Sequence, residues 1–431
     1  MIAIGRRSVV LAATVVLSFC NGVLGGYSWQ NEPHWVDTWT TMPQLTEPAN
    51  LPPAPYNQTG AVFVNSTIRQ TLHMSLGGSP IRIRISNAFG LTDLPITAVT
   101  VALPFNGSAG VAAIQPQTLH TVTFSGSKNY TIPNGALIVS DPIPMTIAPQ
   151  SNLAVSIYLE QGQLSATNAI TSHPGSRTTS WMSMGNQVSK PNITDATSAS
   201  VQHWYFVSAV EVLRERSASG WVIVGDSITD GRGSDTDKND RWPDLVLARM
   251  QKNRDTNNIA VLNQAAGGNR ILYDGLGPNA LGRIDRDVLA QSGIGYAMIF
   301  EGVNDIGTAA TDSVSQKNVG DRIIAAYIQM VERVHTFGIP MFAATITPFS
   351  APGYNVTAQV YSDPEREATR QRVNAFIRNS GVFDEVIDFD AVLRNESFPY
   401  SIQTALQGGD WLHPNSMGYQ KIAEIFPLDI F

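Results

Sequence analysis

The sequence predicts two domains, an all-β domain of the jelly-roll or sandwich type followed by an α/β domain built on a parallel sheet. One observation is length, since 431 residues exceed what a single hydrophobic core ordinarily supports. The other is a change of pattern around residues 214–220, where alternating apolar and polar residues give way to short apolar runs separated by amphipathic stretches. We therefore place the β domain at residues 27–216 and the α/β domain at residues 218–431.

The first 25 residues have the features of a secretory signal peptide. Arg6 and Arg7 precede an apolar run over residues 9–19, and small residues follow near residues 23–25. The run has about 11 residues, whereas a membrane span needs roughly 20, so a cleaved signal is favoured over an anchor. We therefore expect a secreted, extracellular protein with no stable membrane association.

Composition excludes several classes of function. The formal charge is −7 and no run of Lys or Arg occurs, which argues against binding to nucleic acid. The one cysteine, Cys20, lies in the signal segment, and the acidic loop at residues 235–240 lacks the glycine and glutamate of a calcium loop. We therefore expect no cofactor and no metal ion. Sequons for N-glycosylation begin at Asn57, Asn65, Asn106, Asn129, Asn192, Asn355 and Asn395, a modest excess over chance that fits a secreted glycoprotein.

The N-terminal half has the pattern of strands with one buried face. The segment "PIRIRISNAF" at residues 80–89 alternates isoleucine with arginine and serine, and "ITAVTVAL", "HTVTFSG" and "LAVSIYLE" continue in this style. Residues 165–200 are rich in Ser, Thr, Gly and Asn and are predicted to form a long surface excursion. The histidines of this half are expected to be structural or surface residues.

The C-terminal half alternates apolar runs with helical patterns. The segments "GWVIVGD", "IAVLNQAA", "YAMIFEGVND" and "PMFAATITPF" predict four buried strands. Residues 320–338 and 362–381 predict amphipathic helices that stop at Gly338 and Gly381. This alternation is typical of a doubly wound sheet, in which ligands bind at the carboxyl ends of the strands.

Residues suited to acyl transfer follow the predicted strand ends. Ser227 comes three residues after the first apolar run, Gly268 and Asn304 follow the second and third, and Asp410 precedes His413 by three residues. A serine nucleophile needs a base, the base needs an orienting partner, and the oxyanion needs donors. We therefore expect Ser227 as nucleophile, His413 as base and Asp410 as its partner. The Gly268 amide and the Asn304 side chain would stabilise the oxyanion.

These residues stand in blocks that resemble those of the GDSL/SGNH hydrolases. The blocks are "GDSITDG", the "N-x-x-x-x-G" that ends at Gly268, "GVND" and "DWLHPN", all in order within residues 218–431. The resemblance implies a flavodoxin-like, three-layer α/β domain with the catalytic set named above. It also implies that the Ser227 amide joins Gly268 and Asn304 in the oxyanion hole.

A narrower resemblance concerns the substrate. A β domain ahead of the hydrolase, with "RWPD" at residues 241–244 and "GRIDRDVLAQSGI" at residues 282–294, is similar to the two-domain, xylan-esterase-like branch of the family. It implies an acylated polysaccharide or oligosaccharide as substrate. We therefore expect a secreted serine esterase that removes short acyl groups, acetyl foremost, from a carbohydrate.

Other interpretations stay open at this point. The same residues would serve a lipase or lysophospholipase, although the sequence offers little apolar material for a lid. The hydrolase half could also be inert in a carbohydrate-binding wall protein, although the set of residues is intact. Hydrogen bonds within the turn explain Asp226 and Asp230. Arg241 and Trp242 either line the site or begin the next helix.

Overall fold

The chain folds as antiparallel β sheets followed by a parallel sheet with helices. The structure is a computed structural model that describes residues 32–431, so the predicted signal peptide lies outside the described residues. Within residues 32–431 we find no helix with the length and apolar character that crossing a bilayer requires. The predicted fold class, a β sandwich ahead of an α/β domain, is confirmed.

The β domain consists of two main antiparallel sheets whose apolar side chains share one core. Ile81, Ile83 and Ile85 are buried and the arginines between them are less so, as the alternating pattern predicts. The four-stranded sheet contains, in spatial order, His34–Thr40, Val207–Arg214, Ile81–Ser86 and Leu137–Val139. The six-stranded sheet contains Ala199–Val201, Ser180–Met184, Ser66–His73, Asn152–Leu159, Ala98–Ala102 and His120–Thr121. Short strands form three smaller sheets: Leu94–Ile96 with Tyr130–Ile132; Gln163–Leu164 with Ala61–Val62 and Asn57–Gln58; and Trp204–Tyr205 with Thr171–His173 and Gln44–Leu45.

The α/β domain contains a five-stranded parallel sheet. Its strands in chain order are β1 (Ser219–Gly225), β2 (Ile259–Ala265), β3 (Ile294–Phe300), β4 (Met341–Ala344) and β5 (Glu385–Ile387). The spatial order β2-β1-β3-β4-β5 is that of flavodoxin-like sheets. The helices are α1 (Ser227–Asp230), α2 (Trp242–Met250), α3 (Ala280–Ile284), α4 (Val303–Thr308), α5 (Ser313–His335), α6 (Pro364–Asn379), α7 (Phe389–Leu393) and α8 (Ser416–Ile425).

The long helix α5 begins seven residues earlier than the sequence pattern predicts, at Ser313 rather than at residue 320. Asp312 accepts a hydrogen bond from the Ser315 amide at 2.9 Å and so caps the helix at that point. The strand β5 was not predicted because it has three residues, too few to show a pattern.

The prediction of a surface excursion at residues 165–200 was wrong. This segment supplies strands to two sheets, and His173, Ser176 and Thr178 are buried. Its high content of Ser and Thr is typical of a loop, but the hydroxyl groups of these residues form internal hydrogen bonds. Ser176 Oγ, for example, donates to the Thr178 carbonyl at 2.7 Å. We refer to residues 174–179, which connect the strands Thr171–His173 and Ser180–Met184, as the bridging loop.

Buried polar contacts join the two domains. Ser292, just before β3, donates its amide to Asp37 at 2.8 Å and its hydroxyl to Glu211 at 2.5 Å. The Ser75 hydroxyl donates to the carbonyl of Val261 in β2 at 2.9 Å. The carboxylates of Asp37 and Glu211 belong to the four-stranded sheet of the β domain and are fully buried, so their contacts with Ser292 fix that sheet against the parallel one.

Candidate active site

Ser227 lies where β1 ends and the single-turn helix α1 begins. Asp226 caps this helix by accepting a hydrogen bond from the Ile228 amide at 2.9 Å. Gly231 ends the helix in the left-handed conformation, with φ of 99°. The chain therefore turns sharply at the carboxyl edge of the sheet and holds Ser227 there.

The structure brings the three predicted catalytic side chains into one hydrogen-bonded chain. Ser227 Oγ lies 2.7 Å from His413 Nε2, and His413 Nδ1 lies 2.7 Å from Asp410 Oδ2. The other carboxylate oxygen of Asp410 accepts hydrogen bonds from the amides of Leu412 and His413, at 3.0 and 2.9 Å. Asp410 is therefore fixed by the backbone that carries the histidine, and it sets the orientation of the ring.

Burial sets the protonation of this pair. Burial lowers the pKa of His413 below its ordinary 6.5, and this effect outweighs the opposite influence of Asp410. Burial also acts to raise the pKa of Asp410, but hydrogen bonds and charge attraction from His413 outweigh it and hold that pKa well below its usual range. Near neutral pH the ring is therefore uncharged, with Nδ1 donating to Asp410 and Nε2 accepting from the Ser227 hydroxyl.

The predicted oxyanion donors lie in the same cleft as Ser227. Gly268 has φ of +71°, and its N–H and that of Ser227 have no hydrogen-bond acceptor within residues 32–431. Asn304 Nδ2 donates one hydrogen to the Asn269 carbonyl at 2.9 Å, and the Tyr361 hydroxyl lies 3.2 Å from Asn304 Oδ1. Tyr361, which the sequence did not indicate, therefore fixes the orientation of the Asn304 side-chain amide, with Oδ1 toward the tyrosine hydroxyl and Nδ2 away from it.

Both domains line the cleft, which has a volume of about 430 Å³. The α/β domain contributes Ser227, Asp230, Arg232, Gly267, Gly268, Leu276, Asn304, Tyr361, Leu412 and His413. The β domain contributes Gln44, Glu47, Asn50, Pro174, Gly175, Arg177 and His203. The β domain is therefore part of the site.

Residues 222–426 match the model of a known protein family, described as GDSL-like Lipase/Acylhydrolase. The α/β domain is a GDSL/SGNH hydrolase domain. It therefore belongs to a class of carboxylic ester hydrolases, as the resemblance of its four sequence blocks implies.

Solved structures that resemble the chain cover about half of it. An acetyl xylan esterase from Geobacillus stearothermophilus is 22% identical, with a TM-score of 0.38, and the match covers 50% of this chain and 96% of that one. A GDSL-like lipase from Bacteroides thetaiotaomicron is 16% identical, with a TM-score of 0.35, and the match covers 49% and 87%. No curated protein matches the sequence.

A buried arginine connects the loops of the GDSL domain that carry the predicted catalytic residues. Arg283 is 2% exposed and stands at the end of α3, within the "GRIDRDVLAQSGI" segment to which the sequence assigned no role. Its guanidinium donates to Gly225 O at 3.3 Å, Gln264 O at 2.6 Å, Asn269 Oδ1 at 3.1 Å, Asp287 Oδ2 at 2.9 Å and Glu301 Oε2 at 3.3 Å. Four of these five groups lie at the ends of β1, β2 and β3 or next to Gly268, and the fifth, Asp287, follows α3 in the chain.

Three buried carboxyl groups of the GDSL domain have raised pKa values. Burial raises the pKa of Asp226 to about 7, that of Glu301 to about 8 and that of Asp305 to about 6. Asp305 accepts hydrogen bonds from the amides of Ile271 and Leu272, at 2.8 and 3.0 Å. The acidic residues of the "GDS" and "GVND" blocks thus hold loops in place beneath the cleft.

Asp230 does more than close a turn, which corrects the interpretation from the sequence. Its Oδ1 lies 2.8 Å from Nε2 of His173 in the β domain, and its Oδ2 accepts a hydrogen bond from the Gly267 amide at 3.0 Å. Nδ1 of His173 lies 3.0 Å from the Met42 carbonyl. A Cβ at Gly175 would lie 1.7 Å from Asp230 Oδ2, so only glycine permits this approach. Asp230 therefore links the β domain to the loop that carries Gly268.

The two residues whose role was open, Arg241 and Trp242, do not line the cleft. Trp242 is fully buried at the start of α2, and Arg241 Nε donates to the Asp230 carbonyl at 3.1 Å. Both begin the helix, and Arg241 also supports α1. His335, in the last turn of α5, lies 2.8 Å from Asp384 at the surface.

Replacement of Asp230 by alanine should lower kcat for an ester substrate by about tenfold and leave KM within about twofold, because the Gly267 amide loses the acceptor that fixes the neighbouring Gly268. Asp230→Asn is the matched control. Its amide oxygen can accept from Gly267 and its nitrogen can donate to His173, so it should recover most of kcat. Steady-state kinetics of both variants test this, and equal losses of kcat in the two would contradict it.

Proposed function

We propose that this protein is a secreted serine esterase that removes short acyl groups, acetyl foremost, from a carbohydrate. The observation that carries the proposal is the hydrogen-bonded chain Ser227–His413–Asp410, with both distances at 2.7 Å. A nucleophile, a base and an orienting carboxylate in this order perform acyl transfer on unrelated folds.

The mechanism follows from the positions of the donors. Ser227 Oγ attacks the ester carbonyl carbon while His413 Nε2 takes its proton, and the carbonyl oxygen becomes an oxyanion. The amides of Ser227 and Gly268 and the second hydrogen of Asn304 Nδ2 stabilise that charge. His413 then donates the proton to the departing alcohol, which leaves an acyl-enzyme. Water attacks the acyl-enzyme while His413 takes its proton, and His413 then returns that proton to Ser227 Oγ as the bond from Oγ to the acyl carbon breaks, which releases the acid and the free serine.

The lining of the cleft supports a short acyl group and a polar alcohol. Leu276, Leu412 and Pro174 are its aliphatic residues, and most of the other lining residues are polar or charged. A long acyl chain would leave most of its apolar surface without an apolar partner. The polar wall from the β domain offers hydrogen-bond partners of the kind that sugar hydroxyl groups use.

Secretion is the part of the proposal that rests on the sequence. The charged and apolar segments of residues 1–25 support it. Five sequon asparagines are exposed, as glycosylation requires: Asn65, Asn106, Asn129, Asn192 and Asn355.

Ser227→Ala should abolish hydrolysis of p-nitrophenyl acetate, with a loss of at least about 10³-fold in kcat, because no other group replaces the nucleophile. A fluorophosphonate probe should label the wild-type protein and should not label this variant. If the protein were an inert binding protein, the wild type would not be labelled either. Ser234→Ala is the matched control: Ser234 donates only to the Gly231 carbonyl, outside the cleft, and activity should stay at the wild-type level. Substantial hydrolysis by Ser227→Ala refutes the nucleophile assignment.

Activity should depend on the neutral form of His413. As pH falls through the His413 pKa the ring becomes protonated and cannot accept the Ser227 proton, so kcat/KM should decrease. Because burial lowers that pKa, the midpoint of the acid limb should lie below 6.5. A pH profile of kcat/KM measures it, with circular dichroism at each pH as the control for folding. A midpoint above 6.5 would contradict the buried, neutral histidine.

Chain length of the acyl group should decide between this function and a lipase. In a series of p-nitrophenyl esters from acetate to decanoate, kcat/KM should be highest for acetate and propionate and should fall beyond butyrate, since the cleft offers few apolar contacts. A rise beyond butyrate would instead support the lipase or lysophospholipase.

A further inference from the structure

The bridging loop places an unpaired arginine in the catalytic cleft. Arg177 lines the cleft together with Ser227 and His413. Its Nε is buried without a hydrogen-bond partner, and within residues 32–431 no nitrogen of its guanidinium donates a hydrogen bond or lies within 4.0 Å of a carboxylate. An arginine has five N–H donors, and a buried donor without a partner is unfavourable. The guanidinium is therefore available to a ligand in the cleft.

The backbone at Arg177 is held in a conformation that non-glycine residues rarely adopt, with φ of 49°. Contacts with the GDSL domain maintain it. The Asp237 amide donates to the Arg177 carbonyl at 2.9 Å, and the Asp237 carboxylate accepts from the amide and hydroxyl of Thr179, at 2.7 and 2.8 Å. Strained backbone that its surroundings maintain in this way is concentrated at binding and catalytic sites.

The other charges of the cleft leave Arg177 without a counter-ion. The Glu47 carboxylate accepts hydrogen bonds from Gln44 and Asn50, and Asp230 is paired with His173. A second guanidinium, that of Arg232, is mostly exposed and lies 4.0 Å from Asp410. Arg177 is therefore a charged donor in the cleft with which no carboxylate within residues 32–431 is paired.

We infer that Arg177 binds a carboxylate on the substrate, so that the preferred substrates are acyl esters of acidic sugars of the uronate type. The planar guanidinium matches a carboxylate through two parallel hydrogen bonds, a geometry that a neutral sugar does not offer. The inference rests on the proposed function, because it concerns the alcohol part of the same ester. It also gives the β domain a role in substrate selection.

The test compares two probes that differ only in charge, a methyl 3-O-acetylgalacturonoside as the free carboxylate and as its carboxamide. At pH 7 and low salt the wild-type protein should show kcat/KM at least about tenfold higher for the carboxylate. Arg177→Gln should bring this ratio to about one, and Arg177→Lys should give an intermediate ratio because it keeps the charge without the planar fork. Lys128→Gln removes an exposed positive charge of the same domain outside the cleft and should keep the wild-type ratio.

Each outcome separates this inference from the proposed function. The ratio is measured within one protein, so partial loss of folded enzyme cancels, and Arg177→Lys serves if the glutamine variant does not fold. A wild-type ratio of one or less overturns the inference, as does a wild-type ratio retained without Arg177. Hydrolysis of p-nitrophenyl acetate but of neither saccharide also overturns it and leaves the esterase standing. Failure to hydrolyse any ester refutes the proposed function itself.

Discussion

The geometry of the site depends on the buried guanidinium of Arg283. A charge removed from water is unfavourable by several kcal/mol unless hydrogen bonds and opposite charges compensate for it. Here the compensation comes from five groups, and all of them except Asp287 lie at strand ends or in loops that lead to the proposed catalytic residues. Gly225 precedes Ser227 by two residues, Asn269 follows Gly268, and Glu301 precedes Asn304 by three. One desolvated side chain thus fixes the relative positions of three loops that are distant in the sequence.

The acidic residues around this centre follow from the same constraint. Asp287 forms ion pairs with both Arg283 and Arg286 and Glu301 forms one with Arg283, whereas Asp226 and Asp305 pair with no cation within residues 32–431. Burial is the main cause of the raised pKa values of Asp226, Glu301 and Asp305, and neighbouring carboxylates add to it at Asp226 and Glu301, where Arg283 opposes it. Asp410, by contrast, is partly exposed and meets a histidine and two amides, so it stays ionised. The environment of each carboxyl group therefore decides whether it supports a loop or orients the base.

The sequence predicted the fold class and the positions of the proposed catalytic residues because both depend on local patterns. Strand ends, a glycine-assisted turn and a short Asp-to-His spacing are visible within a few residues, and a parallel sheet gathers strand ends at one edge. The contacts of Asp230 with His173, 57 residues away, have no local signature. Residues 165–200 were misassigned for the same reason, since a composition of Ser, Thr and Gly is typical of loops unless distant partners satisfy the hydroxyl groups.

The contribution of the β domain was likewise invisible in the sequence, because it depends on how two domains meet. The GDSL domain holds the bridging loop on both sides of Arg177. Before it, His173 is bound to Asp230 on the helix that begins with Ser227, and after it, Thr179 is bound to Asp237. Asp230 also accepts the Gly267 amide, so one carboxylate connects the loop that carries Arg177 with the loop that carries Gly268. The same side chain therefore positions both the proposed wall for the alcohol part of a substrate and the proposed oxyanion donors, and we expect a change at the domain interface to affect substrate preference and turnover together.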